Sequence, residues 1–168
     1  MPVIKSSMAN GATVSVWMRY IGQSGGSFSS HAEWLINLQK LESDKTNAGA
    51  PHLNIIMANT DQSGNGLFSL TGTREEMDHF ALVVLRISGD LCSGSNSYSI
   101  QWIDANGVQN LPNGTRTDFC NIDHLVFNRH CWSYSCSSRI TYAIDDLRVY
   151  DGRLSDDDVQ TLYTVGAA

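Results

Sequence analysis

Between residues 13 and 20 apolar and polar side chains alternate. Val14, Val16, Met18 and Tyr20 fall on one side, and Thr13, Ser15, Trp17 and Arg19 on the other. A period of two predicts a half-buried β-strand. The Gly/Ser-rich residues 22–30 read as the loop that follows. Trp34, Ile36 and Leu38 repeat the alternation. Trp34, Leu35, Leu38 and Leu41 would also share one helical face, and the strand is the preferred reading. After a loop at residues 47–51, Leu53, Ile55 and Met57 make another strand. A turn at Asp61-Gln62-Ser63-Gly64-Asn65-Gly66 leads into a strand at residues 67–71, and Asn65-Gly66 is a hairpin signal because both residues tolerate positive φ. Residues 80–87 (Phe-Ala-Leu-Val-Val-Leu-Arg-Ile) are apolar on both faces, which suits a central strand covered on two sides. Tyr98, Ile100 and Trp102 alternate before a turn at Asp104-Ala105-Asn106-Gly107. Residues 122–127 supply one more strand.

The end of the chain changes phase and then period. Ile140, Tyr142 and Ile144 hold one phase, whereas Leu147 and Val149 hold the other. That one-residue slip predicts a bulge or bend near Asp145-Asp146. Ser155 followed by Asp158 has the form of a capping box, with Asp in place of Glu. Asp156 and Asp157 suit the positive end of a helix dipole. Val159, Leu162 and Tyr163 form one apolar face and Gly166 reads as the residue just past the end, so a helix of about two turns closes the chain. Many short strands joined by polar turns predict an all-β sandwich or barrel.

Length and composition narrow the class. The chain has 168 residues, which fits a single domain over 1–168. Apolar residues make up 42% and charged residues 17%, an ordinary core-forming composition. The net charge of -6 argues against nucleic acid as a partner. No apolar run approaches the roughly 20 residues of a membrane helix, so no membrane insertion is expected. The first residues carry no secretory signal, so the protein is intracellular or its signal lies outside this chain. The cysteines are Cys92, Cys120, Cys131 and Cys136. Their even number in a Ser/Asn-rich acidic chain points to disulfides and a secreted or cell-surface setting. Three connectivities are open. Cys131–Cys136 with Cys92–Cys120 is preferred because the first pair is local, and independent buried thiols are the alternative. Asn113-Gly114-Thr115 is a glycosylation sequon if the chain is secreted, and otherwise a plain turn.

Candidate chemistry is sparse. No G-x-S-x-G elbow, H-E-x-x-H or P-loop occurs, and no enzyme activity is expected. Asp61, Ser63 and Asn65 offer oxygens at alternate positions, with Gly66 at the sixth. That is how a calcium loop opens, and calcium is the one cofactor this pattern suggests. Position twelve would be Gly72 rather than a bidentate Glu, so it is no EF-hand, and an ordinary hairpin turn competes. Asp104 and Asn106 repeat the pattern more weakly. Asp145 and Asp146 are either ligands or hydrogen-bonding groups of a bulge. Cys120, His124, His130, Cys131 and Cys136 bring thiolates and imidazoles close enough in sequence to raise zinc, although the C-x2-C knuckle is missing. Trp132, Tyr134 and Phe28 lie in loop-like stretches, where aromatic faces stack on sugar rings. Trp17, Trp34 and Trp102 sit in strands and read as core.

One stretch carries a family resemblance. The run from Ile144 to Tyr163 (Ile-Asp-Asp-Leu-Arg-Val-Tyr-Asp-Gly-Arg-Leu-Ser-Asp-Asp-Asp-Val-Gln-Thr-Leu-Tyr) resembles the closing signature of laminin-G-like domains. These belong to the concanavalin A-like lectin/glucanase superfamily. Residues 12–18, with Trp17, resemble the family's early Trp-bearing strand. Residues 77–84 resemble its central strand, with Met77 where a Trp is usual and Asp78 in place of the first His. Residues 98–107 resemble the strand after that. The resemblance implies a two-sheet jelly-roll β-sandwich with one short C-terminal helix. It also implies a non-catalytic carbohydrate-binding module, calcium-assisted in some members. The alternative it leaves is a structural or adhesive module that binds an extracellular protein. Glucanase relatives place carboxylates in an E-x-D-x-E strand, and none of Glu33, Glu42, Glu75 and Glu76 lies in that pattern, which argues against glycoside hydrolysis. The chain departs from the family in having only about ten residues before the early strand. Pro2-Val3-Ile4-Lys5 would supply one strand. Failing that, a sheet edge stays open to pairing with a partner chain.

Overall fold

Residues 81–87 are apolar on both faces, and they lie in the middle of the largest sheet. In the computed structural model, residues 8–24, 33–39, 52–58, 79–110, 113–117, 119–121, 124–129 and 139–166 are described. The strands are β1 (Ala12–Ser24), β2 (Glu33–Gln39), β3 (His52–Ala58), β4 (Ala81–Ile87), β5 (Asn96–Asp104), β6 (Gly107–Asn110), β7 (Gly114–Arg116), β8 (His124–Arg129) and β9 (Arg139–Asp151), and the helix is α1 (Asp156–Gly166). One sheet runs β6-β5-β4-β1-β9, with β7 also on β5, and a three-stranded sheet runs β3-β2-β8. The strand pairings among the described residues are antiparallel. Among the described residues the protein is therefore all-β with one α-helix, at the C-terminal end.

Every residue of β4 is buried. On one face of the large sheet, Val14, Val16 and Met18 of β1 align with Val83, Leu85, Ile100 and Trp102, all of them buried. The other face of β1 departs from the half-buried expectation, because Thr13, Ser15 and Trp17 are buried as well. The C-terminal segment covers them. Val159, Leu154, Leu162 and Tyr163 pack on a cluster of Trp17, Leu82, Val84 and Ile103. Thr13 survives burial because its hydroxyl is satisfied twice, donating to the Gly152 carbonyl at 2.9 Å and accepting from the Leu154 amide at 3.0 Å. Arg86, also buried, donates to the Asp156 carboxylate at 2.6 Å and fixes the start of α1 against the sheet.

The phase slip predicted near Asp145-Asp146 is a β-bulge. Ser15 pairs with Arg148, but Trp17 pairs with Asp145, so β9 carries one extra residue. Asp146 takes up the excess with a φ of 47°, a conformation that Asp tolerates better than most side chains. Residues 22–24, expected in a loop, continue β1 instead. They pair with residues 139–141 after a second slip between Tyr20 and Gly22, since backbone pairing to a long neighbour needs no apolar side chain. The Trp34 segment is a strand rather than a helix, paired on both sides. The Asp104–Gly107 hairpin forms as expected, with Gly107 at a φ of 115°. Nothing in the alternation announced β7. The expected strand at 67–71, the Asn65-Gly66 hairpin and the N-terminal residues 2–5 lie outside the described residues.

The capping box at α1 is reciprocal. The Asp158 amide donates to the Ser155 hydroxyl at 3.1 Å, and the Ser155 amide donates to the Asp158 carboxylate at 3.0 Å. The Ser155 hydroxyl, with its amide, also holds the Asp158 carboxyl below the usual Asp range. The helix has 11 residues and is longer than expected, because Gly166 lies inside it. The reason for glycine there is contact rather than backbone angle. A Cβ on Gly166 would sit 2.8 and 2.9 Å from Cε2 and Cζ2 of the Trp17 indole. Tyr163 stacks on the same ring, with centroids 5.5 Å apart.

Cys92 and Cys120 form a disulfide with Cα atoms 4.7 Å apart. It ties the β4–β5 connection to a short 3-10 turn at Phe119–Asn121, whose Phe119 is buried edge-on against Tyr98. The bond removes Cys120 as a zinc thiolate, which corrects the zinc reading at its first ligand. Cys131 and Cys136 lie outside the described residues. Replacing Cys92 and Cys120 together by Ser should cost about 2–4 kcal/mol in urea unfolding. Gly166→Ala should cost about 1–3 kcal/mol by overpacking against Trp17, and Ser155→Ala about 1 kcal/mol by loss of the cap. A neutral Gly166→Ala would contradict the packing described here.

Candidate functional site

Four segments that are distant in sequence converge beside Trp17. His79 and Phe80 precede β4, and Ala105 is in the β5–β6 turn. Asp145, Asp146 and Arg148 come from the β9 bulge, and Tyr163, Val165 and Gly166 from the end of α1. Together they line an open cleft of about 630 Å³. That lies within the roughly 300–1,000 Å³ typical of small-molecule sites. The bulge builds this wall, since the extra residue breaks the regular alternation where Asp145, Asp146 and Arg148 meet the cleft. The helix contributes because Trp17 and Tyr163 stack and bring its last turn to the sheet.

The walls differ in character. Phe80 is 41% exposed, so its ring is open to a ligand in the cleft. Val165 is also exposed. Opposite in chemistry is a two-bond ion pair, with Asp146 accepting from Arg148 Nε at 2.7 Å and Nη2 at 2.6 Å. Bonds to Asp146 first, and then to Tyr150, hold the Arg148 guanidinium firmly charged. Asp145 accepts from the Asp146 amide at 2.8 Å, which is the bulge hydrogen bonding set against a ligand role in the sequence.

Behind His79 stands a buried carboxylate. Asp104 Oδ2 lies 3.1 Å from His79 Nε2 and accepts from Trp102 Nε1 at 3.0 Å, while Oδ1 accepts from the Asn106 amide at 2.7 Å. Burial pushes this carboxyl up. The bonds from Trp102, His79 and Asn106, with the charge of His79, outweigh burial and hold it below the ordinary Asp value. The weak calcium pattern at Asp104 and Asn106 is thus a turn whose carboxylate is already occupied. Asp104 orients His79 at the mouth of the cleft.

The sequence-predicted residues fall unevenly. Trp132, Tyr134 and Phe28, and the loop residues Asp61, Ser63 and Asn65, lie outside the described residues. Trp17 and Trp102 are core, as expected. Asn113 is exposed just before β7. Among the described residues no three His, Cys, Asp or Glu side chains are grouped to hold a metal, and no helix is long and apolar enough to cross a membrane. Sequence alone does not single out Phe80 and His79 as cleft residues, because Phe80 opens an apolar run that reads as part of a covered strand. No family model and no curated protein matches the chain.

The shifted Asp104 gives a pH signature. Its folded pKa lies below the unfolded value of 3.8, so its stabilising effect is complete above that value and is lost as pH falls through the folded pKa. Asp104→Asn should lower stability by about 1–3 kcal/mol at pH 7. It should also flatten the fall in urea midpoint below pH 4. An unchanged acid slope would contradict the role given to this carboxylate.

Proposed function

We propose that the chain is a laminin-G-like, concanavalin A-like jelly roll that binds a carbohydrate without transforming it. The cleft carries this reading. A sugar ring offers C–H faces that stack on an aromatic surface and hydroxyls that bond planar polar groups. Exposed Phe80 beside the Asp146–Arg148 pair and Asp145 supplies both within one opening. Support for the sandwich comes from the apolar face of the large sheet, which includes Val16, Val83, Leu85 and Trp102 and is buried. Such a face calls for a second layer, and the β3-β2-β8 sheet is the layer we assign. In this reading Phe28, Trp132 and Tyr134 extend the sugar contacts along a loop rim. Calcium held by Asp61, Ser63 and Asn65 assists them. The disulfide favours a secreted or surface setting.

One observation favours a second reading, an adhesive module for an extracellular protein. Among the described residues β9 pairs only with β1, so a strand of 13 residues forms a sheet edge. Unpaired edges are templates for strand addition.

A glycan array run with calcium and again with EDTA separates the two. Binding in either condition is expected, and Phe80→Ala should weaken it roughly tenfold, about 1.4 kcal/mol. Binding should be weaker in EDTA if calcium sits at the Asp61–Asn65 loop, and binding unchanged by EDTA would remove calcium from this reading. A folded protein that binds no glycan, and is stable only with a strand-donating partner, would establish the adhesive reading instead.

A further inference from the structure

We infer that the cleft prefers a sugar bearing a positive charge, an amino sugar with a free ammonium group, over neutral or acidic glycans. The inference rests on the glycan reading and adds the charge of the ligand. It follows from the balance of groups along the walls. Asp146 and Arg148 neutralise each other through two short bonds. His79 is engaged with Asp104, whose carboxylate is itself buried and ionised. Asp145 is exposed and pairs with no cation among the described residues, its one bond being the Asp146 amide. Among the described residues, one negative charge is thus left open on the cleft wall.

Two independent features add to it. Val165 and Gly166 line the cleft at the C-terminal end of α1, where the last carbonyls lack helical partners and the dipole is negative. The last turn of the helix carries no basic residue to offset this. Phe80 presents an exposed ring, and a ring face attracts cations as well as sugar C–H groups. A carboxylate, a helix C-terminus and an aromatic face around one opening favour a cation attached to a ring. The chain's net charge of -6 steers such a ligand inward and repels sulfated or uronic sugars.

Calorimetric titration of the full chain with three tetrasaccharides tests this. The probes are the glucosamine tetramer, the N-acetylglucosamine tetramer and the glucose tetramer cellotetraose, at low salt and below the pKa of the free amine. The glucosamine tetramer should bind about tenfold more tightly than the other two, and added salt should erode the difference. Asp145→Asn should lower the ratio, leaving only the share that the α1 C-terminus and the Phe80 ring supply. Equal affinity for the three probes would overturn the charge preference and leave the glycan reading standing. A preference unchanged in Asp145→Asn would overturn the assignment to this wall. Absence of binding to all three, by a protein shown to be folded, would overturn the inference and count against the glycan reading beneath it.

Discussion

Trp17 is the residue on which sheet, helix and cleft depend together. It lies on the inner strand β1, between β4 and β9, and is 6% exposed. Its indole packs in the cluster with Leu82, Val84 and Ile103, and Tyr163 stacks on it from the helix. Gly166 closes over the same ring where any larger residue would collide. An aromatic side chain of this size contributes heavily through buried area alone. Here it also sets the height at which α1 sits above the sheet, and the end of α1 forms one wall of the cleft. Arg86 and Thr13 fix the other end of the segment, by polar bonds rather than by packing. The last element of the chain is thus anchored along β1 and β4, which are central to the sheet.

The bulge in β9 is the second constraint. In an unbroken ladder, side chains along the strand would alternate from face to face. The extra residue interrupts that alternation, and Asp145, Asp146 and Arg148 all line the cleft beside Trp17. Asp146 accepts a left-handed backbone conformation and recovers two bonds from Arg148. Local strain of this kind persists where the surroundings determine it, and bulges recur where a strand must re-aim side chains. The fold therefore supplies the cleft with polar groups by a backbone irregularity and with apolar groups by the helix end.

Much of this was legible in the sequence where the signal is local. The phase change between Ile144 and Leu147 announced the bulge, because alternation is a property of one strand. Ser155 and Asp158 announced the cap, because its bonds close within one turn. The doubly apolar run of β4 announced a central strand. What was not legible depends on distant partners. Thr13 and Ser15 look like a solvent face until the C-terminal segment is folded over them. Gly166 looks like a helix stop until Trp17 is placed beneath it. Phe80 looks like core because nothing in its neighbours says that the sheet ends there. The cleft joins residues from Trp17 to Gly166, and no local pattern records such a meeting. The aromatic residues Phe28, Trp132 and Tyr134 and the loop residues Asp61, Ser63 and Asn65 belong to other segments of the chain.

The central claim is that one end of the large sheet, around Trp17, is a ligand site. The most direct measurement is an amide-resolved NMR titration of the full chain with the glucosamine tetramer. The account predicts that shift changes concentrate at His79, Phe80, Ala105, Asp145, Asp146 and Val165, with the Trp17 indole responding and the far end of β4 silent. Saturable changes confined to other parts of the chain, with these residues unmoved, would contradict it.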